Sequence, residues 1–395
     1  MNTRSSLPRG VWVLGFVSLA MDTSSEMIHA LLPLYLTASL GASVLVVGLI
    51  EGMAESATLI VKVFSGVISD RLGSRKGLVA LGYGLAAASK PFFAIATGPS
   101  LVFGARLVDR VAKGIRGAPR DALIADLVPP ERRGAAFGLR QSLDSVGAFA
   151  GPGIAIALML AWHDDIRAVF WVAVIPGAIS FLLAAFGVQE PRKAPPAAEP
   201  GERDAIRLTA KTLRALGGAF WAVTAAGAVL TTARFSEAFL ILRGSGTGLE
   251  AAFVPLVLVV MNGVYAAASY PVGLLADRVS SRALLIGGTL FLAAADAVLA
   301  TSAGPAGFWA GVVLWGLHMG FTQGLLAAMV ARASPAPLRG TAFGVFGLAS
   351  GIATLAASAI AGALWELSGP AATFWTGAVL AGMAAILAAG LLRRA

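Results

Sequence analysis

The densest group of ionisable residues lies in residues 104–126, a stretch whose surroundings are apolar enough to cross a membrane. Its charged residues are Arg106, Asp109, Arg110, Lys113, Arg116, Arg120 and Asp121. On an ideal helix, with 100° between successive residues, these side chains share an arc of about 140°. Because a charge at the bilayer centre costs about 2.5 kcal/mol or more, this face must meet other charges or water.

Other predicted helices carry their ionisable residues on one side as well. The further groups are Asp22, Glu26 and His29; Glu51, Glu55 and Lys62; and Arg140 with Asp144. Each of the first two groups falls within an arc of about 60° or less, and the third spans one helical turn. We expect these groups to face one another or a hydrated cavity inside the first half of the chain. Structural ion pairs and charges at the membrane rim are the alternative interpretation.

The composition places these helices in a membrane. The chain has 395 residues, of which 57% are hydrophobic and 13% are charged, whereas a soluble domain is about 25% charged. The mean hydropathy is +0.80. The absence of cysteine excludes a disulfide, a thiol nucleophile and a cysteine metal site, and three scattered histidines predict no metal centre. The net charge of +9 indicates basic cytoplasmic loops rather than a nucleic-acid partner.

Turn signals divide the chain into twelve mostly apolar segments, each long enough to span a bilayer. The predicted spans are 11–36, 44–68, 77–97, 100–124, 134–160, 167–188, 217–242, 250–275, 283–302, 306–331, 340–364 and 370–392. The predicted fold is all-α, with two six-helix bundles in residues 1–188 and 217–395. A charged, Pro-rich linker, residues 189–216, separates them. Lys and Arg collect in the linker, at both termini and in alternate loops, which predicts cytoplasmic termini.

The two halves of the sequence repeat. GVISDRLGSR from Gly66 matches GLLADRVSSR from Gly273, and RGAAFG from Arg133 matches RGTAFG from Arg339, at offsets of 207 and 206 residues. Parallel six-helix repeats are typical of transporters whose substrate site lies between the halves. The 206-residue shift aligns four charged residues with uncharged ones: Lys113, Arg116, Arg120 and Asp121 with Met319, Thr322, Leu326 and Ala327. Packing alone therefore does not demand these charges, which favours a role specific to the first half.

The segment GVISDRLGSRK, residues 66–76, resembles the loop signature of the major facilitator superfamily, G-x-x-x-D-R-x-G-x-R-K, at every specified position. The resemblance covers the whole chain, although the second copy departs from the signature at Ser280 and Ala283. It implies a conformational latch that exists in one state and opens in the other. The latch residues are Gly66, Asp70, Arg71, Gly73 and Arg75. A basic turn without a gating role is the alternative.

Two more motifs resemble those of twelve-helix proton-coupled antiporters in this superfamily. RVAKGIRGA, residues 110–118, is similar to the helix 4 motif whose arginine is tied to proton coupling, which implies that role for Arg110. GAFAGPG, residues 147–153, is similar to the antiporter motif G-x-x-x-G-P. This likeness implies that Gly147, Gly151 and Pro152 set a bend and close packing. A packing kink without bearing on direction is the alternative.

These features predict a secondary active transporter that works by alternating access and exports a small organic compound with an anionic or zwitterionic part. A carboxylate in a partly desolvated cavity can load a proton from one side and release it to the other. The predicted proton-coupling and cavity residues are Asp22, Glu26, Glu51, Glu55, Asp109 and Arg110. The candidate substrate-binding residues are His29, Arg106, Lys113, Arg116, Arg140 and Asp144. The cationic surplus among them attracts anions.

Other functions stay open at this point. Proton-coupled uptake fits the same residues, and the carboxylates of Asp22, Glu26, Glu51 and Glu55 fit export of a cationic drug or a divalent metal. A membrane enzyme is not predicted, because the sequence contains no recognisable catalytic nucleophile motif or metal-binding motif. The short loops give little support to a receptor or scaffold. The expected partners are a small molecule, protons and the lipid bilayer of the cell inner membrane, with no cofactor and no nucleic acid, for a protein that functions as a monomer.

Overall fold

The computed structural model describes residues 7–72, 74–190, 210–276, 278–335 and 338–391, and every regular element within them is helical. The predicted all-α class is therefore confirmed. The long helices are α1 (Arg9–His29), α2 (Val44–Leu72), α3 (Lys76–Ala94), α4 (Pro99–Leu127), α5 (Arg133–Ala161), α6 (Ile166–Leu182), α7 (Gly217–Ala233), α8 (Leu256–Ala276), α9 (Ser281–Thr301), α10 (Pro305–Ala333) and α11 (Arg339–Leu391).

Four predicted spans differ from the observed helices in continuity. The span predicted at 11–36 lies within one candidate membrane segment, Arg9–Ser39, but it is not a continuous α-helix. The helix α1 ends at His29, and short helical turns follow at Leu32–Leu34 and Tyr35–Ser39. Pro33 lacks the amide that would continue the helix. The span predicted at 217–242 is interrupted between α7 and a short helix, Ala238–Ser245. The last two predicted spans join in α11, which breaks only at Gly369, where φ is +84°.

Length and apolar composition qualify many of these helices to cross a membrane. In the described part of the chain, nine helical segments meet that standard, and the segment Gly340–Gly390 contains the break at Gly369. Neither α3 nor α4 is among the nine. These two helices carry Lys90 and the charged stretch, so their polar side chains must be satisfied inside the protein.

The described chain forms two compact units, and the first contains residues 7–31 and 60–190. Within it α1 packs on α5 and α6, and α3 packs on α4 and α6. Its core includes Val11, Val17, Val79, Tyr83 and Leu123, each fully buried. Burial of such apolar side chains is worth about 1.5–3 kcal/mol each in water, but in a bilayer close packing carries more of the association.

The second unit contains residues 32–59 and the described part of 204–395. Within it α9 packs on α10 and α11, α7 packs on α11, and α8 packs on α10. The first half of α2 belongs to this compact unit, whereas the bundle predicted over 1–188 includes all of α2. The bundle bounds stay a prediction. Two glycines allow the first half of α2 to pack closely on α11. A Cβ on Gly52 would lie 3.2 Å from the Leu355 Cα, and one on Gly362 would lie 2.8 Å from the Leu45 Cα.

Candidate functional site

The most deeply buried charges of the first unit form an ion pair between α3 and α4. The Lys90 Nζ lies 2.8 Å from the Asp109 Oδ1, and the two side chains are 1% and 4% exposed. Lys90 also donates a hydrogen bond of 2.9 Å to the Ser25 hydroxyl on α1. Because both side chains are buried from water, each charge is stabilised mainly by the other. The pair also ties α1, α3 and α4 together.

Further cations of α4 surround this pair. The Arg110 Nε lies 3.9 Å from the Asp109 Oδ2, and Arg106 is buried one turn before. Arg116, two turns further along α4, is also buried, and its guanidinium carbon lies 4.6 Å from the centre of the Tyr83 ring. This is cation–π geometry, which stabilises a buried guanidinium without neutralising it. The buried part of α4 thus holds more positive than negative charge.

A second polar network lies nearer the end of α4. The Arg120 Nη1 donates to the Ser18 hydroxyl at 2.9 Å, and its Nη2 lies 3.1 Å from the Asp121 Oδ1. Arg140 of α5 lies 3.3 Å from both Asp121 and Asp144. The predicted neighbours Arg140 and Asp144 are therefore paired with each other, and the network connects α1, α4 and α5.

The ionisable residues of α1 lie beside these cations. The Glu26 Oε2 lies 3.3 Å from the His29 Nδ1, and Glu26 also interacts electrostatically with Lys113 and Arg110. Asp22 is attracted electrostatically by Lys113, Arg116 and Arg120, and it is repelled by the like charge of Asp144. Asp22 and Glu26 are half-buried. Both carboxylates therefore lie in a cationic environment.

We call this set of residues the charged interior of the first unit. It consists of Asp22, Glu26, His29, Lys90, Arg106, Asp109, Arg110, Lys113, Arg116, Arg120, Asp121, Arg140 and Asp144. All of these are buried or half-buried except Lys113, which is exposed. Cationic side chains outnumber acidic ones in this set, so it attracts an anionic group, while its carboxylates can exchange protons. Within the described residues, no three histidine or carboxylate side chains lie close enough together to hold a metal ion.

Glu51 and Glu55 are placed elsewhere. They lie in the part of α2 that belongs to the second unit, where Glu51 is buried and Glu55 is half-buried. The sequence grouped them with the ionisable stripes of the first half, since all of these stripes lie on early helices. The structure brings together the ionisable residues of α1, α4 and α5 in one unit and leaves these two glutamates with the other.

The predicted antiporter-like motif lies where α5 meets α1. A Cβ on Gly147 would lie 2.7 Å from the Leu19 carbonyl oxygen, and one on Gly151 would lie 2.7 Å from the Thr23 carbonyl oxygen. Pro152 is buried beside them. The two glycines therefore allow backbone contact between α1 and α5, which holds Asp22 and Glu26 near the charges of α4.

The predicted latch lies at the start of α3. The Arg75 Nε lies 2.9 Å from the Asp126 Oδ2 at the end of α4. Glu190, after α6, accepts hydrogen bonds from the Ser74 hydroxyl at 2.9 Å and from the Arg75 amide at 2.6 Å. Its carboxylate thereby satisfies orphan amides at the N-terminus of α3. A Cβ on Gly66 would contact α4 at 3.4 Å. The predicted latch residues Asp70 and Arg71, as side chains, and Gly73 lie outside the described residues.

Sequence reasoning missed Lys90, Asp126 and Glu190. Lys90 is the most informative omission, because a single lysine in a predicted span requires a partner inside the membrane. The carboxylate of Asp109, in the next helix, was a visible candidate. Glu190 was hidden in the charged linker, where sequence alone gives no reason to distinguish one glutamate from its neighbours.

Comparisons with known proteins agree with this architecture. The family model of the major facilitator superfamily matches residues 14–263 and 238–395. An uncharacterized MFS-type transporter of Methanocaldococcus jannaschii is 29% identical over 389 residues, which are 96% of this chain and 94% of that protein. Multidrug resistance protein MdtH of Photorhabdus laumondii is 31% identical over 178 residues, 45% of this chain and 42% of that protein.

A solved structure shows the same fold. A POT family transporter crystallised with a thioalcohol-conjugated peptide superposes with a TM-score of 0.77 at 14% identity, covering 98% of this chain and 96% of that one. Because the family model matches nearly the whole chain, the protein belongs to the major facilitator superfamily and is a multi-pass membrane transporter. Family and fold point to transport rather than to enzyme catalysis.

Proposed function

We propose that this superfamily member is a proton-coupled exporter of a small organic compound with an anionic or zwitterionic part. It works by alternating access between two six-helix bundles, residues 1–188 and 217–395, joined by the linker 189–216. Twelve spans follow when α3 and α4 are added to the apolar segments and α11 is divided at Gly369. The termini and the linker are cytoplasmic, in accordance with the placement of Lys and Arg.

The observation that carries the proposal is the positive excess of the charged interior. Arg106, Arg110 and Arg116 are each at most 4% exposed, whereas Asp109 is bound to Lys90 at 2.8 Å. Such an excess inside a membrane bundle is stabilised when an anionic ligand arrives. The substrate carboxylate or phosphate is therefore drawn to the α4 face beside Lys113 and Arg116, and apolar walls accept the rest of the molecule.

Proton coupling is assigned to Asp22 and Glu26. Both carboxylates interact with Lys113, so a movement that separates α1 from α4 changes how strongly each carboxylate holds a proton. A proton and the positively charged part of a zwitterionic substrate then compete for the two carboxylates, while Lys113 and Arg116 hold the anionic part, which couples the opposite movements of proton and substrate. Arg110 and Asp109 maintain the electrostatic potential around these two carboxylates. Glu51 and Glu55 are assigned no role in proton coupling.

Export is favoured over uptake by two observations. The Gly147 and Gly151 contacts with α1 place the antiporter-like motif directly against the helix that bears Asp22 and Glu26. The half-chain likeness to a multidrug resistance protein points the same way. The protein is proposed to act as a monomer in the cell inner membrane, and uptake of the same class of substrate is the alternative.

The test is flux in proteoliposomes that contain the full-length chain and the pH dye pyranine. A panel of anionic, zwitterionic and cationic compounds is added with and without an imposed pH gradient. We expect proton movement only with anionic or zwitterionic compounds, and accumulation opposite to the proton flow. Proton movement driven by cationic compounds alone, or accumulation in the direction of proton flow, would overturn the proposal.

A further inference from the structure

A cavity of about 570 Å³ opens in the second unit between the starts of α7 and α9 and the end of α10. Its polar wall is formed by Ser280, Ser281, Arg282 and Arg332, and its apolar wall includes Val223 and Met329. Arg332 donates a hydrogen bond to the Ser281 hydroxyl, and Arg282 donates one to a carbonyl oxygen of α11. No acidic residue is among the described residues that line the cavity.

The repeat shows what the first half places at the equivalent position. Arg282 aligns with Arg75 in the loop signature, and Arg332 aligns with Asp126 at the 206-residue helix offset. In the first unit Arg75 and Asp126 form an ion pair of 2.9 Å. The second unit therefore has two arginines where the first has an arginine and an aspartate, and like charges at one cavity repel each other.

The first unit also places a second carboxylate on this turn. Glu190 accepts hydrogen bonds from the Ser74 hydroxyl and from amides at the start of α3. The equivalent serine of the second unit, Ser281, begins α9 and faces the cavity instead. The same residue types thus bind a carboxylate in one repeat and border open space in the other.

We propose that this cavity binds a phosphate-bearing anion. Two guanidiniums, two serine hydroxyls and the positive end of the 21-residue helix α9 converge on it, and each of these groups favours an oxyanion. The Arg282 Nε is buried and has no hydrogen-bond partner among the described residues. The apolar wall and the volume suit the headgroup of an anionic phospholipid, and free phosphate offers the same chemistry.

Thermal unfolding of the purified full-length protein tests whether this cavity binds an anion and whether that anion is a phospholipid headgroup or free phosphate. One arm titrates inorganic phosphate at constant ionic strength, and the other compares nanodiscs of phosphatidylglycerol with nanodiscs of phosphatidylcholine. Stabilisation by phosphate identifies a free anion, and stabilisation by phosphatidylglycerol alone identifies a lipid headgroup. Arg332→Gln should raise the half-effective concentration about tenfold or more, the effect of losing a hydrogen bond to a charged group.

Two further variants separate binding from general charge loss. Arg278→Gln removes an exposed arginine of the same turn that does not line the cavity, and it should respond like the wild type. Ala333→Glu supplies an internal carboxylate, as Glu190 does in the first unit, and should abolish the response without unfolding the protein. Equal responses of the wild type, Arg332→Gln and Ala333→Glu, or no stabilisation of the wild type by either additive, would overturn the proposal.

Discussion

The helix pairs α3–α4 and α9–α10 occupy equivalent positions in the repeat but bury different polar groups. At the 206-residue offset, Lys90 aligns with Asp296 and Asp109 with Trp315. The first pair forms an ion pair of 2.8 Å. Asp296 and Trp315 are fully buried, and neither carboxylate oxygen nor the indole nitrogen has a hydrogen-bond partner among the described residues.

The difference between the two helix pairs shows that the buried charges of α3 and α4 are not needed for the packing of the repeat. Both halves pack the same two helices together, so the ion pair is not required for that packing. The second half also keeps its helix with Met319 and Thr322 in place of Lys113 and Arg116. Packing does not account for charges that one repeat retains and the other lacks. The proposed function assigns them to substrate and proton handling, and five changes test this contrast.

The largest effect is expected from Lys90→Ala. It leaves the Asp109 carboxylate buried without its closest cation, which should lower the free energy of unfolding by about 3–5 kcal/mol. The measurement is unfolding of the purified protein in mixed detergent micelles. The double variant Lys90→Met/Asp109→Leu should recover most of that stability but not transport. Full stability of the single variant would show that the ion pair contributes little.

The second change gives α4 the residues of α10. Lys113→Met/Arg116→Thr should fold normally and lower kcat/KM for an anionic substrate about 10- to 100-fold, because charged hydrogen bonds to the ligand are lost. Met319→Leu, in the second unit, is the matched control and should keep wild-type flux. A double variant with unchanged flux would remove Lys113 and Arg116 from the substrate site.

The third change removes the two proposed proton carriers, one at a time. Asp22→Asn or Glu26→Gln should lower the substrate accumulation that a pH gradient drives about tenfold. A tenfold change corresponds to a loss of about 1.4 kcal/mol in the free energy that couples proton and substrate. Exchange of substrate at equal pH should continue, since binding does not require the proton. Unchanged accumulation in both single variants would exclude these two carboxylates from coupling.

The fourth change concerns the latch. Asp70→Asn and Arg75→Gln should each shift the balance of conformations two- to fivefold, in the range of about 1 kcal/mol that a partly exposed ion pair such as Arg75–Asp126 contributes. The reporter is Ser358→Cys, a buried position that contacts Gly52 of α2. Maleimide labelling at this site should slow when the latch at the other end of α2 is weakened. Identical labelling rates with and without these changes would argue for a turn without gating.

The smallest effect is expected in the second unit. Asp296→Leu replaces a buried carboxyl group with an apolar side chain of similar size, and the oxygens that it removes have no partner among the described residues. Stability should therefore stay the same or rise by about 1 kcal/mol, in contrast to Lys90→Ala. Differential scanning calorimetry of both variants measures the contrast. A large loss of stability in Asp296→Leu would show that the Asp296 carboxyl group has a stabilising hydrogen-bond or ion-pair partner.

Periodicity predicted the charged face of α4 because seven charges on one arc cannot face lipid in a membrane. It predicted the proximity of Asp22 and Glu26 to that face for the same reason. It did not predict that α2 divides between units, because the contacts of Gly52 and Gly362 depend on helices that are distant in sequence. The break at Gly369 was visible as a Gly-Pro step, but its geometry depends on φ at that residue.

Lys90 marks the limit of the site prediction. The apolar pattern of 77–97 dominated its interpretation, although one lysine in a span carries more information than the apolar residues around it. Glu190 and Asp126 show a different limit. Their roles arise from the meeting of three helix ends, and no local pattern encodes such a meeting.

The most direct test of the account compares two sets of proteoliposomes in one flux experiment. One contains Lys113→Met/Arg116→Thr and the other contains Asp296→Leu, and both are driven by the same pH gradient. We expect transport of an anionic or zwitterionic compound to be lost in the first set and retained in the second. Equal transport in the two sets, whether retained or lost, would contradict the claim that function resides in the charged interior of the first unit.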